Sequence, residues 1–322
     1  MITIAGAGLA GLAAAHELAR RGAEVTLYER SAHIGDKSSS RYAGGMLAPW
    51  CEGESAEEEV ITLGSRALDW WTQITPVVRR GTLVLAPARD RAELTRFARR
   101  TRAHVAVDET QIAALEPELA GRFRAGLHFT KEGHLDPRRA IRDLAARVQE
   151  MGVTLHRGTP APTRVTLDCT GIAAPLPGLR PVRGEMAILH APGVEISRTL
   201  RLLHPRSPIY LVPRTDHHFM LGATMIENSA SGPPTLRALS ELMNAAYALH
   251  PGLAEAAVVE IGAGLRPAFA DNLPDLIWQD GTLYLNGLYR HGFLLAPAMA
   301  ARAADILIPE TSDADHRERR SA

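Results

Sequence analysis

Three glycines near the start of the chain, followed by one acidic residue, form the clearest chemical pattern in this sequence. Gly6, Gly8 and Gly11 have the spacing Gly-x-Gly-x-x-Gly and follow the short apolar run 2–5. In this pattern the first glycine permits a tight turn, the second lets a pyrophosphate approach the backbone, and the third lets a helix pack closely on a strand. Glu29 stands 18 residues after Gly11, where a carboxylate accepts hydrogen bonds from ribose hydroxyls and repels a 2′-phosphate. The pattern therefore predicts a dinucleotide site and disfavours NADP.

The segments around these glycines must form a strand, a helix and a second strand to build such a site. The apolar run 2–5 predicts the first strand, the Ala-rich segment after it predicts the helix, and residues 25–29 predict the second strand. Gly22 suits the position just after the helix, and two arginines in the last turn complement the helix dipole. A secretory signal is the alternative for residues 2–15, but the stretch lacks a basic start and is followed by a charged helix face rather than a cleavage site.

Composition and charge exclude several classes of protein. The chain has 322 residues, enough for two domains, and 46% of them are apolar and 22% charged, as in globular proteins. Lys plus Arg and Asp plus Glu both number 36, so no net charge attracts nucleic acid or an anionic membrane. No apolar run reaches the length of a membrane span. The two cysteines, Cys51 and Cys169, form no metal or redox motif, so we expect a reduced, cytoplasmic setting.

The order of the predicted elements indicates two interleaved domains. The opening strand–helix–strand unit predicts a Rossmann-like α/β domain, whereas successive strand candidates between 183 and 224 predict an antiparallel sheet in a smaller α+β substrate domain. We assign residues 1–76, 133–180 and 262–309 to the nucleotide-binding domain and residues 77–132 and 181–261 to the substrate domain. Residues 310–322 are charged and polar, and we expect them to be a disordered tail.

Two local patterns predict where helices begin. Ser55 and Glu58 have the spacing of a capping box, which predicts a helix running to about Trp71. Asp136 followed by Pro137 predicts an N-cap and the first position of another helix.

Other chemistries are disfavoured. His217 and His218 suggest a metal site at first sight, but they fall in a predicted hairpin without a third ligand at a telling spacing, so we expect no metal. The sequence contains no Gly-x-Ser-x-Gly elbow and no catalytic-cysteine signature. Hydrolysis through a side-chain nucleophile is therefore unsupported.

Seven short blocks occur in the order found in one family of flavoproteins. The blocks are GAGLAG (6–11, with Glu29), RYAGGML (41–47), GHLDP (133–137), YLVPR (210–214), GATM (222–225), GLRP (264–267) and YRHGFLLAP (289–297). In these blocks the chain resembles the D-amino-acid-oxidase-like flavoproteins over about residues 1–308. Within that family it is most similar to the glycine oxidases of thiamine biosynthesis. The resemblance implies that the dinucleotide is FAD.

The resemblance also implies which residues contact FAD. The glycine turn and Glu29 would bind the ADP half, Ser38 and Ser39 would lie near the pyrophosphate, and the last block would face the pyrimidine edge of the flavin. The full implied set is Gly6, Gly8, Leu9, Ala10, Gly11, Glu29, Arg30, Ser38, Ser39, Ala43, Gly44, Gly45, Met46, Thr170, Gly171, Arg290, His291, Gly292, Phe293 and Leu294.

Two features bear on how FAD would be held. Relatives that attach flavin covalently use a late cysteine or a histidine before the Ala-Gly segment, but here no cysteine follows Cys169 and Tyr42 stands in the histidine's place. We therefore expect FAD without a covalent link. Between Gly152 and Thr170 the family has a longer two-strand excursion on the adenine side, and this chain departs from it with a short connection.

Four side chains match residues of the family's substrate pocket. Arg266 matches the arginine that binds the substrate carboxylate, Tyr210 and Arg290 match pocket residues, and Met225 matches a pocket wall. Each has a simpler alternative: sheet packing for Tyr210, the core for Met225, and surface ion pairs for the arginines.

The resemblance implies FAD-dependent oxidative deamination of glycine. In that reaction a hydride passes from Cα to flavin N5, the imine hydrolyses to glyoxylate and ammonia, and reoxidation by oxygen gives hydrogen peroxide. A thiazole synthase that uses the imine is an implied partner, and we expect a homo-oligomer. A D-amino-acid or sarcosine-type oxidase or dehydrogenase is the alternative within the family. A flavin-binding interaction protein without turnover is the alternative of another class.

Overall fold

The computed structural model describes residues 1–204 and 208–308. The strands are, in chain order, β1 (Ile2–Ala5), β2 (Val25–Glu29), β3 (Met46–Leu47), β4 (Thr82–Leu85), β5 (Val105–Asp108), β6 (Ala125–Phe129), β7 (Gly133–His134), β8 (Thr154–Arg157), β9 (Leu167–Asp168), β10 (Arg180–His190), β11 (Thr199–Leu202), β12 (Ile209–Pro213), β13 (His218–Gly222), β14 (Ile226–Glu227), β15 (Ala257–Ala268), β16 (Asp275–Gln279) and β17 (Thr282–Asn286). The helices are α1 (Leu9–Arg20), α2 (Pro49–Glu52), α3 (Glu58–Gly64), α4 (Ala67–Thr72), α5 (Arg91–Arg100), α6 (Glu109–Leu115), α7 (Pro137–Glu150), α8 (Leu236–Leu249) and α9 (Gly292–Leu307).

The first sheet carries the glycine turn and confirms the predicted α/β fold. Its strand order is β16-β17-β9-β1-β2-β8, and every pair is parallel except β16 with β17. α1 packs against both α7 and α9, and the apolar residues of β1, β2 and these helices form one buried core. β1 ends directly before the turn, so the N-terminus of α1 lies at the carboxyl edge of the sheet, where doubly wound folds bind nucleotides.

The predicted ends of two helices in this layer are confirmed. Gly22 follows α1 with a φ of +81°, a left-handed conformation that glycine adopts without steric cost. At the start of α7 the Asp136 carboxylate accepts hydrogen bonds from the backbone N–H groups of Arg138 and Arg139 at 2.8 and 3.1 Å.

The second sheet is built mainly from antiparallel pairs, as expected. Its order is β14-β10-β13-β12-β11-β4-β6-β5, and β15 pairs along the whole length of β10. One pair departs from the expectation, because β4 and β11 run parallel. They lie far apart in sequence, so a long crossover joins them and no hairpin pattern marks the pairing.

One predicted domain boundary falls inside a strand. The division between residues 261 and 262 interrupts β15, which remains paired with β10 until Ala268. Glycines at 262 and 264 weaken the strand pattern in the sequence, although the backbone continues as a strand. Arg266 therefore belongs to the second sheet. Residue 309 and the predicted tail, 310–322, lie outside the described residues.

The helix predicted from Ser55 to Trp71 is in fact two helices, α3 and α4. The N-cap of α3 is Glu57, which makes no side-chain capping bond. Ser55 does not cap it, because its hydroxyl accepts a hydrogen bond from Arg290 instead.

No helix among the described residues is long and apolar enough to cross a membrane.

Candidate active site

The three glycines of the first turn have different surroundings. Gly6 has a φ of +90°, and a Cβ there would lie 2.8 Å from the carbonyl oxygen of Cys169. A Cβ at Gly11 would lie 1.9 Å from the carbonyl oxygen of Gly6. At Gly8 the nearest atom would be Ser38 Oγ at 3.5 Å, an ordinary contact. Packing therefore requires Gly6 and Gly11, whereas Gly8 leaves open space on the side of a bound ligand.

Glu29 ties the turn to the end of β2. Its two carboxylate oxygens accept hydrogen bonds from the backbone N–H of Ala7 at 3.1 Å and of Ser31 at 2.8 Å. The side chain also lines the adjoining cavity, as its expected ribose contact requires. The carboxylate thus has a structural role that the sequence pattern did not reveal.

An elongated cavity of about 860 Å³ runs along the carboxyl edge of the first sheet. The short connection at 160–163 lines this cavity together with Tyr28, Glu29 and Arg30, so it supplies a wall where the family's longer excursion is missing. The cavity is lined by eleven of the expected cofactor residues: Gly6, Gly8, Leu9, Ala10, Glu29, Arg30, Ser38, Ser39, Thr170, Gly171 and Gly292. Gly11 is not part of the lining and lies behind Gly6.

A second cavity of about 140 Å³ continues from the first between the two sheets. The residues lining both cavities are Ser39, Ser40, Tyr42, Gly264, Tyr289 and Gly292. The second cavity also brings together the remaining expected residues: Ala43, Gly44, Gly45, Met46, Tyr210, Met225, Arg266, Arg290, His291, Phe293 and Leu294. These come from five separate segments of the chain. The structure therefore joins the expected nucleotide, flavin and substrate residues in one continuous space.

Tyr210 lines this second cavity and packs between Gly44 and Gly222. A Cβ at Gly44 would lie 2.7 Å from Tyr210 Cε2, and one at Gly222 would lie 2.8 Å from its Cζ. The Gly44 carbonyl accepts a hydrogen bond from Arg214 Nη2 at 2.8 Å, which fixes the segment in place. Burial raises the pKa of Tyr210, so its hydroxyl is neutral at neutral pH and can donate a hydrogen bond.

The N-terminus of α9 points into the same space. Gly292, Phe293 and Leu294 form its first turn and line the second cavity. Trp71 Nε1 donates to the Phe293 carbonyl at 2.7 Å, which anchors this turn against α4. The free N–H groups and the helix dipole favour negative charge at this point.

Arg266 is the cavity arginine that has no carboxylate partner within residues 1–204 and 208–308. Its Nη1 donates to the carbonyl of Thr224 at 3.0 Å, and no carboxylate among the described residues forms an ion pair with it. Gly184 makes room for it, since a Cβ there would lie 2.0 Å from Arg266 Nη2. Burial lowers the pKa of Arg266, but arginine remains protonated at any ordinary pH.

Arg290 differs because its guanidinium is already engaged. Nη2 lies 2.7 Å from Glu52 Oε2 and 2.7 Å from Ser55 Oγ, and Nη1 lies 3.3 Å from Met225 Sδ. The residue lines the cavity as expected, but in an ion pair that is buried rather than on the surface. Met225 is 53% exposed, so the alternative that placed it in the core is wrong.

Glu52 is a charged site residue that the sequence did not predict, and Arg201 is another. Glu52 Oε1 lies 3.3 Å from Arg201 Nη1, and its Oε2 lies 3.6 Å from His291 Nδ1 as well as close to Arg290. Burial alone would raise the pKa of Glu52, but Arg290, Arg201 and His291 together lower it to about 2. Burial lowers the pKa of His291 to about 4. At neutral pH Glu52 is therefore ionised and His291 is neutral.

The available signal for Glu52 was an acidic residue directly after the apolar stretch Ala48-Pro49-Trp50-Cys51.

The pKa of the neighbouring Glu132 is shifted in the opposite direction. Glu132 accepts a hydrogen bond from the backbone N–H of Cys51 at 2.8 Å, its second oxygen has no partner, and burial raises its pKa to about 8.

No group of three or more His, Cys, Asp or Glu residues within 1–204 and 208–308 is arranged to hold a metal ion. His217 lies near Glu195, and His218 stacks on His190 with ring centroids 4.6 Å apart.

The residues present fit FAD. In the first cavity, the backbone at Gly8 is accessible to a ligand, and Glu29 and Ser38 offer hydrogen-bonding groups. The second cavity offers the backbone around Gly44 and the start of α9. The helix N-terminus would favour the negative charge of a reduced flavin.

Comparison with known proteins supports this fit. A family model described as FAD dependent oxidoreductase matches residues 1–306. The chain is 54% identical over 324 residues to the candidate thiamine biosynthesis oxidoreductase ThiO of Rhizobium etli, covering 98% of this chain and 99% of that protein. It is 29% identical over 350 residues to the glycine oxidase of Pseudomonas aeruginosa, covering 95% and 94% of the two chains.

A solved structure extends the comparison to the fold. The crystal structure of glycine oxidase from Geobacillus kaustophilus matches with a TM-score of 0.80 at 22% identity, covering 95% of this chain and 94% of that chain. At this identity the likeness shows the fold alone. Together with the family match over nearly the whole chain, these findings show that the protein belongs to the DAO family of FAD dependent oxidoreductases and has FAD as its cofactor.

Proposed function

We propose that this enzyme oxidises glycine to its imine. The observation that carries the proposal is Arg266, a guanidinium that no described carboxylate pairs with, in a cavity of about 140 Å³ beside the start of α9. A planar guanidinium is suited to hold a carboxylate through two parallel hydrogen bonds. The names of the Rhizobium and Pseudomonas relatives support the same assignment.

The residues around the cavity would bind and orient the substrate. Arg266 would hold the carboxylate, and the neutral hydroxyl of Tyr210 would donate a further hydrogen bond. Because glycine has almost no apolar surface, its affinity must come from its charged groups. Fixing the carboxylate at one end orients the Cα–H bonds and excludes water from them, which lowers the entropic part of the barrier.

The glycine turn, Glu29 and the start of α9 would hold FAD, which would supply a hydride acceptor for the substrate carbon and a route for the two electrons to oxygen. The nitrogen loses a proton and the carbon–nitrogen bond becomes an imine, which water hydrolyses. Glycine, oxygen and water thus give glyoxylate, ammonia and hydrogen peroxide. No side chain of the cavity is required as a strong base in this account.

The imine has a second proposed fate, transfer to a thiazole synthase for thiamine biosynthesis in the cytoplasm. The name of the Rhizobium relative supports the assignment to thiamine biosynthesis. The expected homo-oligomer also stays a prediction. So does the absence of a covalent flavin link, which acid precipitation tests: all yellow colour should leave the denatured chain.

An amine panel tests the proposed substrate. Purified protein should produce peroxide and glyoxylate with glycine at higher kcat/KM than it oxidises D-alanine or sarcosine. A higher kcat/KM with either of those amines would instead assign the enzyme to the D-amino-acid or sarcosine type. FAD that no amine reduces would point to a flavin-binding protein without turnover.

A further inference from the structure

Some of the charged side chains around the second cavity are already in ion pairs, whereas Arg266 is available to bind a ligand. Its described lining contains three arginines, Arg201, Arg266 and Arg290, and one carboxylate, Glu52. Glu52 lies within ion-pair distance of Arg201 and Arg290, whereas Arg266 has none of the described carboxylates as a partner. The cavity therefore has a net charge of +2 but offers a single free guanidinium.

We propose that Glu52 determines anion selectivity, so that the cavity accepts a substrate with one carboxylate and refuses a second carboxylate. Glu52 achieves this by occupying Arg290, which would otherwise be a second anion-binding group beside Arg266. The inference deepens the proposed function by adding the substrate class, amino acids with a single carboxylate, and in its catalytic form it rests on that function.

The geometry supplies the reason for the exclusion. A second carboxylate could reach Arg290 Nη2 only by displacing Glu52 Oε2 from 2.7 Å. Glu52 is 8% exposed and also lies near Arg201 and His291, so it has little room to move away. A substrate carboxylate that approached without displacing it would lie against an ionised carboxylate in a poorly hydrated space, where repulsion is strong.

Ser55 and Glu132 do not share this role. Ser55 Oγ also accepts from Arg290 Nη2 at 2.7 Å, but a hydroxyl carries no charge and leaves Arg290 cationic. Glu132 is buried near Cys51 and does not line the cavity. Its raised pKa of about 8 keeps it neutral at neutral pH.

The test uses two anions that cannot be oxidised, acetate and malonate, as probes of the FAD-loaded enzyme at pH 7. Their dissociation constants are read from the change in the flavin spectrum. In the wild type we expect malonate to bind no tighter than acetate. Glu52→Gln, which keeps the shape and removes the charge, should change the acetate-to-malonate ratio of dissociation constants in favour of malonate by at least about tenfold, the size of one charge-assisted hydrogen bond.

Three further variants separate selectivity from general damage to the cluster. Glu132→Gln makes the same chemical change nearby without removing a charge, and its ratio should stay within about twofold of the wild type. Ser55→Ala should behave likewise. The double variant Glu52→Gln/Arg290→Gln should lose most of the gain in malonate affinity, because Arg290 is gone and the remaining partner of Glu52, Arg201, also contacts Cys51 Sγ.

Turnover gives the catalytic form of the same test. Glu52→Gln should raise kcat/KM for iminodiacetate, a glycine with a second carboxylate, relative to glycine.

Wild-type enzyme that binds malonate ten times tighter than acetate would overturn the proposal, even if no variant retains flavin. An unchanged ratio in flavin-loaded Glu52→Gln, or an equal shift in Glu132→Gln, would also overturn it. If the wild type does not oxidise glycine but the binding ratio shifts as expected, the proposed substrate is wrong and the role of Glu52 stands.

Discussion

The two ends of the continuous cavity are built by different means. At the nucleotide end, Gly6, Gly8, Gly11 and Glu29 lie within one strand–turn–helix–strand unit, and their effect depends on backbone shape. At the substrate end, the groups that matter are charged side chains from distant segments of the chain. Their effect depends on which of them are paired with one another.

This difference explains why one end is easier to predict. A backbone pattern is local, so its spacing can be recognised without knowing the fold. Arg266 and Arg290 both lie in short sequence blocks, and nothing in those blocks shows that Arg290 is bound to Glu52 and Arg266 is not. Arg290 pairs with Glu52 because the fold brings α2 next to the loop before α9.

The largest expected effect comes from filling the open side of the glycine turn. Gly8→Val should abolish FAD retention while the apoprotein stays folded, because the nearest protein atom to a Cβ there is Ser38 Oγ at 3.5 Å. The loss would come from a clash with the pyrophosphate alone. Flavin content per chain and the circular dichroism spectrum of the purified variant measure the two outcomes.

Gly11→Ala is the matched comparison for that prediction. Its Cβ would lie 1.9 Å from the Gly6 carbonyl oxygen, so this variant should lose folding stability as well as flavin, by about 1–3 kcal/mol or more. If Gly8→Val retained full flavin, or if Gly11→Ala were as stable as the wild type, the roles given to these glycines would be wrong.

The next effect belongs to the free guanidinium. Arg266→Lys keeps the charge but loses the two-point geometry, so glycine kcat/KM should fall sharply with FAD still bound. Losing one partner of a desolvated charge pair typically costs about 2–5 kcal/mol, or roughly 30-fold to several thousand-fold. Arg290→Lys should cost less, because a lysine can still pair with Glu52. Unchanged turnover in Arg266→Lys with an inactive Arg290→Lys would show that the two arginines exchange roles.

How much of the molecule could be predicted follows the same division. The glycine turn, the N-cap of α7 and the antiparallel run were predictable because each depends on neighbours in sequence. The parallel pairing of β4 with β11, the continuation of β15 through two glycines and the cluster around Glu52 were not, because each depends on contacts between remote segments. Arg266 was assigned by resemblance, and only the structure shows that it pairs with none of the carboxylates in the part of the chain it describes.

A moderate effect on stability should come from Glu132. Burial raises its pKa from 4.5 to about 8 in the folded protein. Between these values the unfolded chain has released a proton that the folded chain keeps, so wild-type stability falls as pH rises through this window and levels off above pH 8. Glu132→Gln removes this contribution, so its free energy of unfolding relative to wild type should rise from pH 5 to pH 8 by at most about 1.4 kcal/mol per pH unit, and its Tm relative to wild type should rise with it. An equal Tm difference at both pH values would contradict the assignment.

The smallest expected effect is at Glu29. Glu29→Ala should weaken FAD binding by about 1–3 kcal/mol, the size of hydrogen bonds to a charged group. It should also lower Tm slightly in the apoprotein, because the carboxylate accepts from Ala7 and Ser31. Flavin titration of the apoprotein and thermal unfolding without flavin separate the two. A flavin Kd equal to that of the wild type would remove Glu29 from the ribose site.

The most direct test of the central claim is reduction of the bound FAD by glycine without oxygen. Wild-type protein should lose its yellow colour on addition of glycine, with one glyoxylate formed for each flavin reduced. Arg266→Lys with a full complement of FAD should stay yellow at the same glycine concentration. A wild-type flavin that glycine leaves oxidised, or an Arg266→Lys flavin that bleaches as readily as the wild type, would contradict the account.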